Sequence, residues 1–156
     1  MNPCRCGYLG DPSRACARAP ECGRTYCARL SGPMLDRFDM IIEVAEVSGQ
    51  LLLDKTPGEP SVAVARRVAT ARDFAAASRP AGDAEQTGAF DDPTAQMSDE
   101  ARRLIELAIE TQSLSARGFH RVLRVARTIA DLERHPGIER RHLAEALAYR
   151  AMPLLA

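Results

Sequence analysis

Residues 115–133, SARGFHRVLRVARTIADLE, carry the clearest structural signal in this chain of 156 residues. At about 100° per residue, the apolar side chains fall on one face of a helix. They are Phe119, Val122, Leu123, Ala126, Ile129 and Ala130. Arg117, Arg121 and Arg124 fall almost directly opposite. The stretch therefore predicts an amphipathic helix that packs on one side and presents a stripe of arginines on the other.

The arginine stripe has two interpretations. The simpler one is a solvated charged face, which is how most surface helices use such residues. The alternative is a binding site for an anion such as phosphate, because a guanidinium group forms bidentate contacts with phosphate oxygens. The pattern alone leaves both open.

Further helices are predicted on both sides of this one. Ser98 is a suitable N-cap, and Asp99 and Glu100 follow it in the first turn, where the helix dipole favours negative charge. His135-Pro136-Gly137 ends the central helix, and another helix is expected from about Glu139 to Arg150. Residues 97–156 are thus predicted to form an all-α unit that buries its own apolar faces and is the most stable part of the chain.

The first two-thirds of the chain has a mixed pattern. A helix is predicted over 61–78, after Pro60, and should pack on the C-terminal unit, whereas 79–96 predicts a loop or mobile linker. MLDRF (34–38) suits a short helix, and MIIEVAEV (40–47) predicts a strand. The expected fold class is a mixed α/β remnant followed by an all-α unit, mostly α overall.

Composition excludes several kinds of function. The chain has 21 basic and 21 acidic residues, so its net charge gives no general attraction to nucleic acid or to an anionic membrane. No apolar run approaches the roughly 18–20 residues that span a bilayer. No signal peptide is recognisable at the N-terminus. A cytoplasmic location without membrane association is expected.

All five cysteines lie in the first 27 residues. In a reducing compartment such a cluster indicates metal binding more than disulfides. Cys4, Cys6 and Cys16, with Cys22 or Cys27, supply enough thiolates for a tetrahedral zinc site. The alternative is a set of buried, unliganded thiols, because the spacing is not that of repeated CxxC pairs. A redox pair is disfavoured for the same reason. All three histidines are remote in sequence, so any zinc is expected to be structural.

Three stretches together resemble a known family. They are MNPCRCGYLGD (1–11), ARLSGPMLDRFDMIIEV (28–44) and SARGFHRVLRVARTIADLE (115–133). In this order they resemble the C-terminal part of the magnesium-chelatase-subunit-I-like AAA+ ATPases of the ComM/YifB type. The resemblance implies that 1–47 is the end of a P-loop AAA+ core, with sensor 1, a Cys-rich insertion, the arginine finger and the last strand. Residues 48–96 would be a connecting helix and linker, and 97–156 the helical AAA+ lid.

The resemblance also implies roles for three residues. Asn2 falls on the sensor 1 asparagine, which polarises the water that attacks the γ-phosphate. Arg37 falls on the arginine finger, which stabilises transition-state charge in a neighbouring subunit's site. Arg124 falls on the sensor 2 arginine of the lid, consistent with its place on the polar helix face, whereas Arg127 is expected to be structural. ATP and Mg²⁺ would be cofactors only in a complete assembly.

The cysteines depart from the family pattern. That pattern has Cys-Pro-Cys-Gly followed by a second Cys-x-Cys pair, a zinc-finger-like insertion beside sensor 1. Here Arg5 replaces the proline, and Arg18 stands where a partner of Cys16 is expected. The implied ligands are Cys4, Cys6 and Cys16, with Cys22 as the substitute fourth ligand and Cys27 as a weaker candidate.

The nucleotide-binding motifs of the family are absent from this sequence. The lone lysine, Lys55, lies in LDKTPG, which does not match GxxxxGK[ST], and no Walker B strand precedes Asn2. The chain is therefore expected to be part of an ATPase, a fragment that does not hydrolyse ATP alone. The intact family is associated with a hexameric ring that drives DNA branch migration in natural transformation.

Other functions remain open. One is a fragment of a true magnesium chelatase motor subunit, which generally lacks such cysteines. Another is a small zinc-binding module for protein interaction or nucleic-acid binding, disfavoured by the zero net charge and few aromatic residues. The last is a remnant of a truncated gene without function.

Overall fold

The computed structural model describes residues 2, 4–9, 11, 13–44, 47, 49, 53, 57–78, 96–112 and 114–150. These residues include two short helices, α1 (Glu21–Cys27) and α2 (Gly32–Leu35). Four longer helices follow them: α3 (Ser61–Ser78), α4 (Asp99–Gln112), α5 (Ala116–Leu132) and α6 (Arg140–Ala148). The prediction of a mostly α chain is confirmed for the described residues.

The hydrophobic core lies between α4, α5 and α6. Helix α6 packs against both α5 and α4. Of the apolar face predicted for α5, Phe119 is half-buried and the other five side chains are buried. The core comprises Ala101, Ile105, Ala108, Val122, Leu123, Val125, Ala126, Ile129, Ile138, Leu143, Ala146 and Leu147. Every core residue lies in 97–150, so the C-terminal unit supplies its own core as predicted.

Serine caps start two of the core helices, and the cap at Ser98 was predicted from the sequence. The Ser98 hydroxyl accepts a hydrogen bond from the backbone N–H of Ala101 (3.2 Å). Ser115 accepts one from the N–H of Gly118 (3.0 Å). Each hydroxyl satisfies a donor that the first turn of a helix leaves unpaired.

Helix α5 ends in a left-handed turn at Arg134, which has φ = 56°. The N–H of His135 donates to the carbonyl of Ala130 (2.8 Å), and that of Arg134 to Asp131 (3.1 Å). This pair of bonds is the Schellman pattern. The buried Arg127 guanidinium donates to the Pro136 carbonyl (2.7 Å) and forms an ion pair with Asp131 (2.9 Å). Arg127 is thus a structural residue that holds the turn.

Helix α3 begins directly after Pro60 and has the predicted bounds, Ser61–Ser78. It packs on α5, as expected. Of its described side chains only Ala71 is buried, so α3 contributes little to the core. The linker predicted for 79–96 lies outside the described residues except for Gln96.

The strand predicted for 40–47 is wrong in the part that the structure describes. Residues 40–44 and 47 are not in a strand, and residues 45 and 46 lie outside the description. Val44 is 87% exposed, and Ile41 donates its backbone N–H to the Tyr149 carbonyl (2.7 Å) rather than to another strand. A strand needs a neighbour for its backbone groups, and among the described residues the one bridge joins Met97 to Ile138.

The short helix predicted for 34–38 begins two residues earlier. It is α2, Gly32–Leu35, with Pro33 in its first turn, where the missing N–H of proline has no effect on helical bonding. Residues 36 and 37 continue as a turn. The prediction is right in type and displaced in position.

Candidate functional site

Three cysteines meet at the N-terminal end of the chain. The Sγ atoms of Cys4, Cys6 and Cys22 all lie within 4.8 Å of one another. Cys4 and Cys6 are 3.1 Å apart at sulfur. Cys4 is buried, and the other two are half-buried. The loop 4–9 and the first turn of α1 thus bring together thiols that are 16 to 18 residues apart in sequence.

The sulfur of Cys16, in the intervening loop, is not among those that all lie within 4.8 Å of one another. Cys16 is a neighbour of the group, because its thiol contributes to the shifted pKa values of both Cys6 and Cys22. Cys27 is buried at the last position of α1. Among the described residues, it does not belong to the group of cysteines that could hold a metal ion. Of the two candidates for the fourth predicted ligand, the structure places Cys22 with Cys4 and Cys6.

The thiols of the cluster differ in acidity. The hydrogen bond with Cys4, followed by one from the backbone of Tyr8, lowers the pKa of Cys6 to about 6. Burial, followed by the neighbouring Cys16 thiol, raises the pKa of Cys22 to about 12. Of these two thiols, that of Cys6 therefore ionises more readily than that of Cys22.

The loop that carries Cys4 and Cys6 turns sharply at Gly7. Gly7 has φ = +85°, a conformation that residues with a Cβ rarely adopt, and its N–H donates to the Cys4 carbonyl (3.2 Å). The side-chain amide of Asn2 lies beside this turn, 3.6 Å from where a Gly7 Cβ would be. The predicted sensor 1 residue is thus exposed next to the cysteine loop.

The cysteine cluster can hold a metal ion. Four thiolates bound to zinc at about 2.3 Å have sulfur atoms somewhat under 4 Å apart. Three sulfurs, those of Cys4, Cys6 and Cys22, already lie within 4.8 Å of one another. The donor set is all thiol, as in structural zinc sites.

Arg37 lies in the turn after α2 and is exposed. An aspartate lies on each side of it in sequence, Asp36 immediately before and Asp39 two residues after. Both aspartates contact the helical unit 97–150, whereas Phe38 is 47% exposed. We call residues 36–41 the finger segment.

Asp36 contacts the first turn of α5 and the residues after α6. Its Oδ2 accepts a hydrogen bond from the Ser115 hydroxyl (2.9 Å), the group that also caps α5. Its Oδ1 accepts from the Arg150 guanidinium (3.1 Å). The side chain of Arg150 is 16% exposed and that of Asp36 is 30% exposed, so this ion pair is largely shielded from solvent.

Gly118 leaves room for this ion pair. A Cβ at Gly118 would lie 3.3 Å from an Arg150 guanidinium nitrogen and 3.3 Å from the Ser115 hydroxyl. A glycine in the first turn of α5 thus allows the guanidinium to lie directly over the helix. The sequence signal was a glycine in an otherwise strongly amphipathic helix.

The second aspartate of the finger segment contacts the arginine stripe. Asp39 accepts a hydrogen bond from the Arg121 guanidinium (2.5 Å). Arg121 is the most buried of the three stripe arginines, with a side chain 21% exposed, whereas Arg117 and Arg124 are exposed. The stripe lies opposite the core as predicted, but Arg121 binds a protein carboxylate.

Four residues of this contact were missed by sequence reasoning: Asp36, Asp39, Gly118 and Arg150. The available signal was LDRFD itself, in which acidic residues flank an exposed arginine. Their partners lie 79 to 114 residues away along the chain. Local patterns cannot pair residues at that distance.

Two protein families match parts of this chain. Residues 58–150 match the family described as magnesium chelatase, subunit ChlI C-terminal, and residues 1–52 match magnesium chelatase, subunit ChlI. Because the first of these covers more than half of the chain, the chain belongs to the magnesium chelatase ChlI family.

The chain is also similar to individual proteins of known sequence. The chain is 38% identical over 154 residues to the competence protein ComM of Haemophilus influenzae. It is 37% identical over 163 residues to YifB of Escherichia coli, and 36% identical over 157 residues to YifB of Salmonella typhimurium. These alignments cover 97–99% of this chain and 30% of each relative. The chain thus spans about a third of the length of the curated relatives it matches.

No described helix has both the length and the apolar character needed to cross a membrane.

Proposed function

We propose that this chain acts as the C-terminal segment of a ComM-type AAA+ ring motor and completes nucleotide sites whose phosphate-binding motifs lie outside residues 1–156. The observation that carries the proposal is the arrangement around α5. This helix buries its apolar face in the core, exposes Arg124, and contacts the segment that exposes Arg37. One helix therefore connects the proposed sensor 2 arginine with the proposed arginine finger.

Each arginine has a separate role in this proposal. Arg124 contacts the phosphates of the nucleotide bound to its own subunit. Arg37 reaches the nucleotide of the adjacent subunit and stabilises the charge that develops on the transferred phosphoryl group. Asn2 orients the attacking water from its position beside the cysteine loop. ATP and Mg²⁺ bind only where an assembly supplies a Walker A loop, which this sequence lacks.

The cysteine cluster serves a structural role in the same proposal. Cys4, Cys6, Cys16 and Cys22 hold a zinc ion that cross-links the loop 4–9 to α1 and thereby fixes the sequence around Asn2. All four ligands come from the protein, so no open coordination position is left for a substrate.

The proposal is tested by joining residues 1–156 to the part of H. influenzae ComM that they do not match. The chain alone should show no ATP hydrolysis above background, and the joined protein should hydrolyse ATP. Arg37→Ala should lower kcat by roughly 10³-fold or more. Arg124→Ala should also lower activity, whereas Arg103→Ala, an exposed arginine on α4, should not. Hydrolysis by the unjoined chain, or an Arg37→Ala variant with full kcat, contradicts the proposal.

Mixing subunits tests whether Arg37 acts on a neighbour. One preparation carries Arg37→Ala, and the other carries a replaced Walker A lysine in its ComM part. Each is inactive alone, but a mixture should regain activity because one subunit supplies the finger and the next supplies the phosphate loop. The same mixture, given a branched DNA substrate, tests whether hydrolysis moves the branch point. No recovery on mixing contradicts a finger that acts between subunits.

A further inference from the structure

We propose that Asp36 and Asp39 are positioning residues that dock the finger segment on α5 and Arg150, so that the exposed Arg37 moves with the helical unit. The inference rests on the proposed function for the role of Arg37. The docking contact itself rests on the geometry alone.

The contact consists of four hydrogen bonds from three residues of the finger segment. Asp36 binds both Ser115 (2.9 Å) and Arg150 (3.1 Å), Asp39 binds Arg121 (2.5 Å), and the N–H of Ile41 binds the Tyr149 carbonyl (2.7 Å). Three of these bonds involve charged side chains, which form stronger hydrogen bonds than neutral ones do. The bonds bracket Arg37 on both sides in sequence, so they limit rotation of its backbone.

The Asp36 carboxylate also contributes to the N-terminal cap of α5. Asp36 lies at the N-terminal end of this helix, where the helix dipole favours negative charge. Its bond with the Ser115 hydroxyl adds to the cap that the hydroxyl forms with the Gly118 N–H (3.0 Å). A change in the position of α5 is therefore transmitted directly to residue 36, next to the finger.

Arg121 and Arg124 are three residues apart, on adjacent turns of the same helix face. Arg121 holds Asp39, and Arg124 is the proposed sensor of the bound nucleotide. Nucleotide binding that displaces α5 in one subunit would therefore move the Arg37 that serves the next subunit. The contact connects one nucleotide site of the ring to its neighbour through a single helix.

The docking is tested first in the isolated chain, by amide hydrogen exchange at Ile41. Asp36→Asn and Asp39→Asn should each speed exchange at Ile41 by up to about tenfold, because the amide keeps an acceptor oxygen but loses the charge that strengthens the hydrogen bond. Asp73→Asn, an exposed aspartate on α3, is the control and should have no effect. Reversing the pair with Asp39→Arg and Arg121→Asp should restore protection. Equal exchange at Ile41 in all variants would falsify the docking.

The positioning role is tested in the protein joined to ComM. Asp39→Asn should lower kcat by about tenfold with little change in the KM for ATP, since a finger acts mainly in the transition state. In an Arg37→Ala background the same substitution should have no further effect, because it acts through Arg37. A further loss in that background overturns the positioning role. If Arg37→Ala itself leaves kcat unchanged, the proposed function fails while the exchange result still stands.

Discussion

Arg134 occupies a backbone conformation that favours glycine. Its φ of 56° lies in the left-handed region, which costs a residue with a Cβ about 1 kcal/mol or more. The turn is held by the His135 and Arg134 amides and by the Arg127 guanidinium. The surrounding bonds thus stabilise an arginine where helices commonly place glycine.

Replacing this residue by glycine should stabilise the chain. We expect Arg134→Gly to raise the free energy of unfolding by about 0.5–1 kcal/mol. Glycine removes the cost of the left-handed conformation, but it also gives the unfolded chain more conformational entropy, which offsets part of the gain. Urea denaturation followed by circular dichroism measures the change. Arg134→Ala keeps the conformational cost and removes the charge, so it should give no gain. Equal stabilisation by both variants would assign the effect to charge.

At Gly137, by contrast, a larger residue is excluded because there is no room for a side chain. A Cβ at this position would lie 2.8 Å from the Gln96 carbonyl oxygen, which accepts a hydrogen bond from the Ile138 N–H (2.8 Å). We expect Gly137→Ala to lower the free energy of unfolding by about 1–3 kcal/mol, because backbone must move to relieve the overlap. Gly58→Ala is the matched control, since nothing lies within 4 Å of its Cβ position. Equal stability of the two variants in urea would contradict the prediction.

At the scale of elements, α6 begins in a polar cluster beneath the end of α5. The buried His142 accepts the Glu139 N–H at Nδ1 (3.0 Å), so its Nε2 carries the proton and donates to Glu133 (3.0 Å). This bond, followed by the charge of Arg141, lowers the pKa of Glu133 below its usual 4.5, while burial opposes the shift. The ionised Glu133 carboxylate thus connects the C-terminal end of α5 to the N-terminal turn of α6.

The lowered pKa of Glu133 predicts how the stability of the chain changes in acid. Because the folded pKa of Glu133 lies below the unfolded one, its contribution to stability is complete above pH 4.5 and is lost as pH falls through the folded pKa. Unfolding in urea at successive pH values should show a smaller loss of stability below pH 4.5 in Glu133→Gln than in the wild type. Glu106→Gln, an exposed position on α4, should follow the wild type. An unchanged acid dependence in Glu133→Gln would rule out this role.

The helices were predictable because their signals are local. Ser98 caps α4 as predicted, α5 begins next to Ser115, where its start was expected, and Pro60 precedes α3. The strand at 40–47 failed because strands depend on partners elsewhere, and Ile41 bonds to Tyr149 instead. The docking of Asp36 on Arg150 could not be predicted, since nothing local relates residues 114 positions apart.

The candidate site was predictable to a similar extent. The number and position of the cysteines indicated a cluster, and the departure at Arg18 left the fourth ligand open between Cys22 and Cys27. The choice depends on where α1 places each thiol, which is a matter of tertiary structure. The structure brings Cys22, at the second position of α1, to Cys4 and Cys6.

At the scale of the whole molecule, the cysteine cluster and the hydrophobic core are separate. The cluster lies within residues 4–22, whereas every core residue lies within 97–150. The two parts are connected through the finger segment by Asp36, Asp39 and Ile41. A metal bound to the cysteines should therefore affect the N-terminal part with little effect on α4, α5 and α6.

Zinc removal under reducing conditions tests this separation. We expect one zinc ion per purified chain, lost in Cys4→Ser and Cys22→Ser but retained in Cys27→Ser, because Cys27 lies outside the cluster. Chelation should speed amide exchange in residues 4–9, since the metal would no longer fix that loop. The urea midpoint of the helical signal should change little, because the core contains no cysteine. If chelation unfolds the helices as well, the two parts form one cooperative unit. If the wild type holds no zinc under any of these conditions, the cluster is a set of packed thiols, and Asn2 is held only by the turn at Gly7.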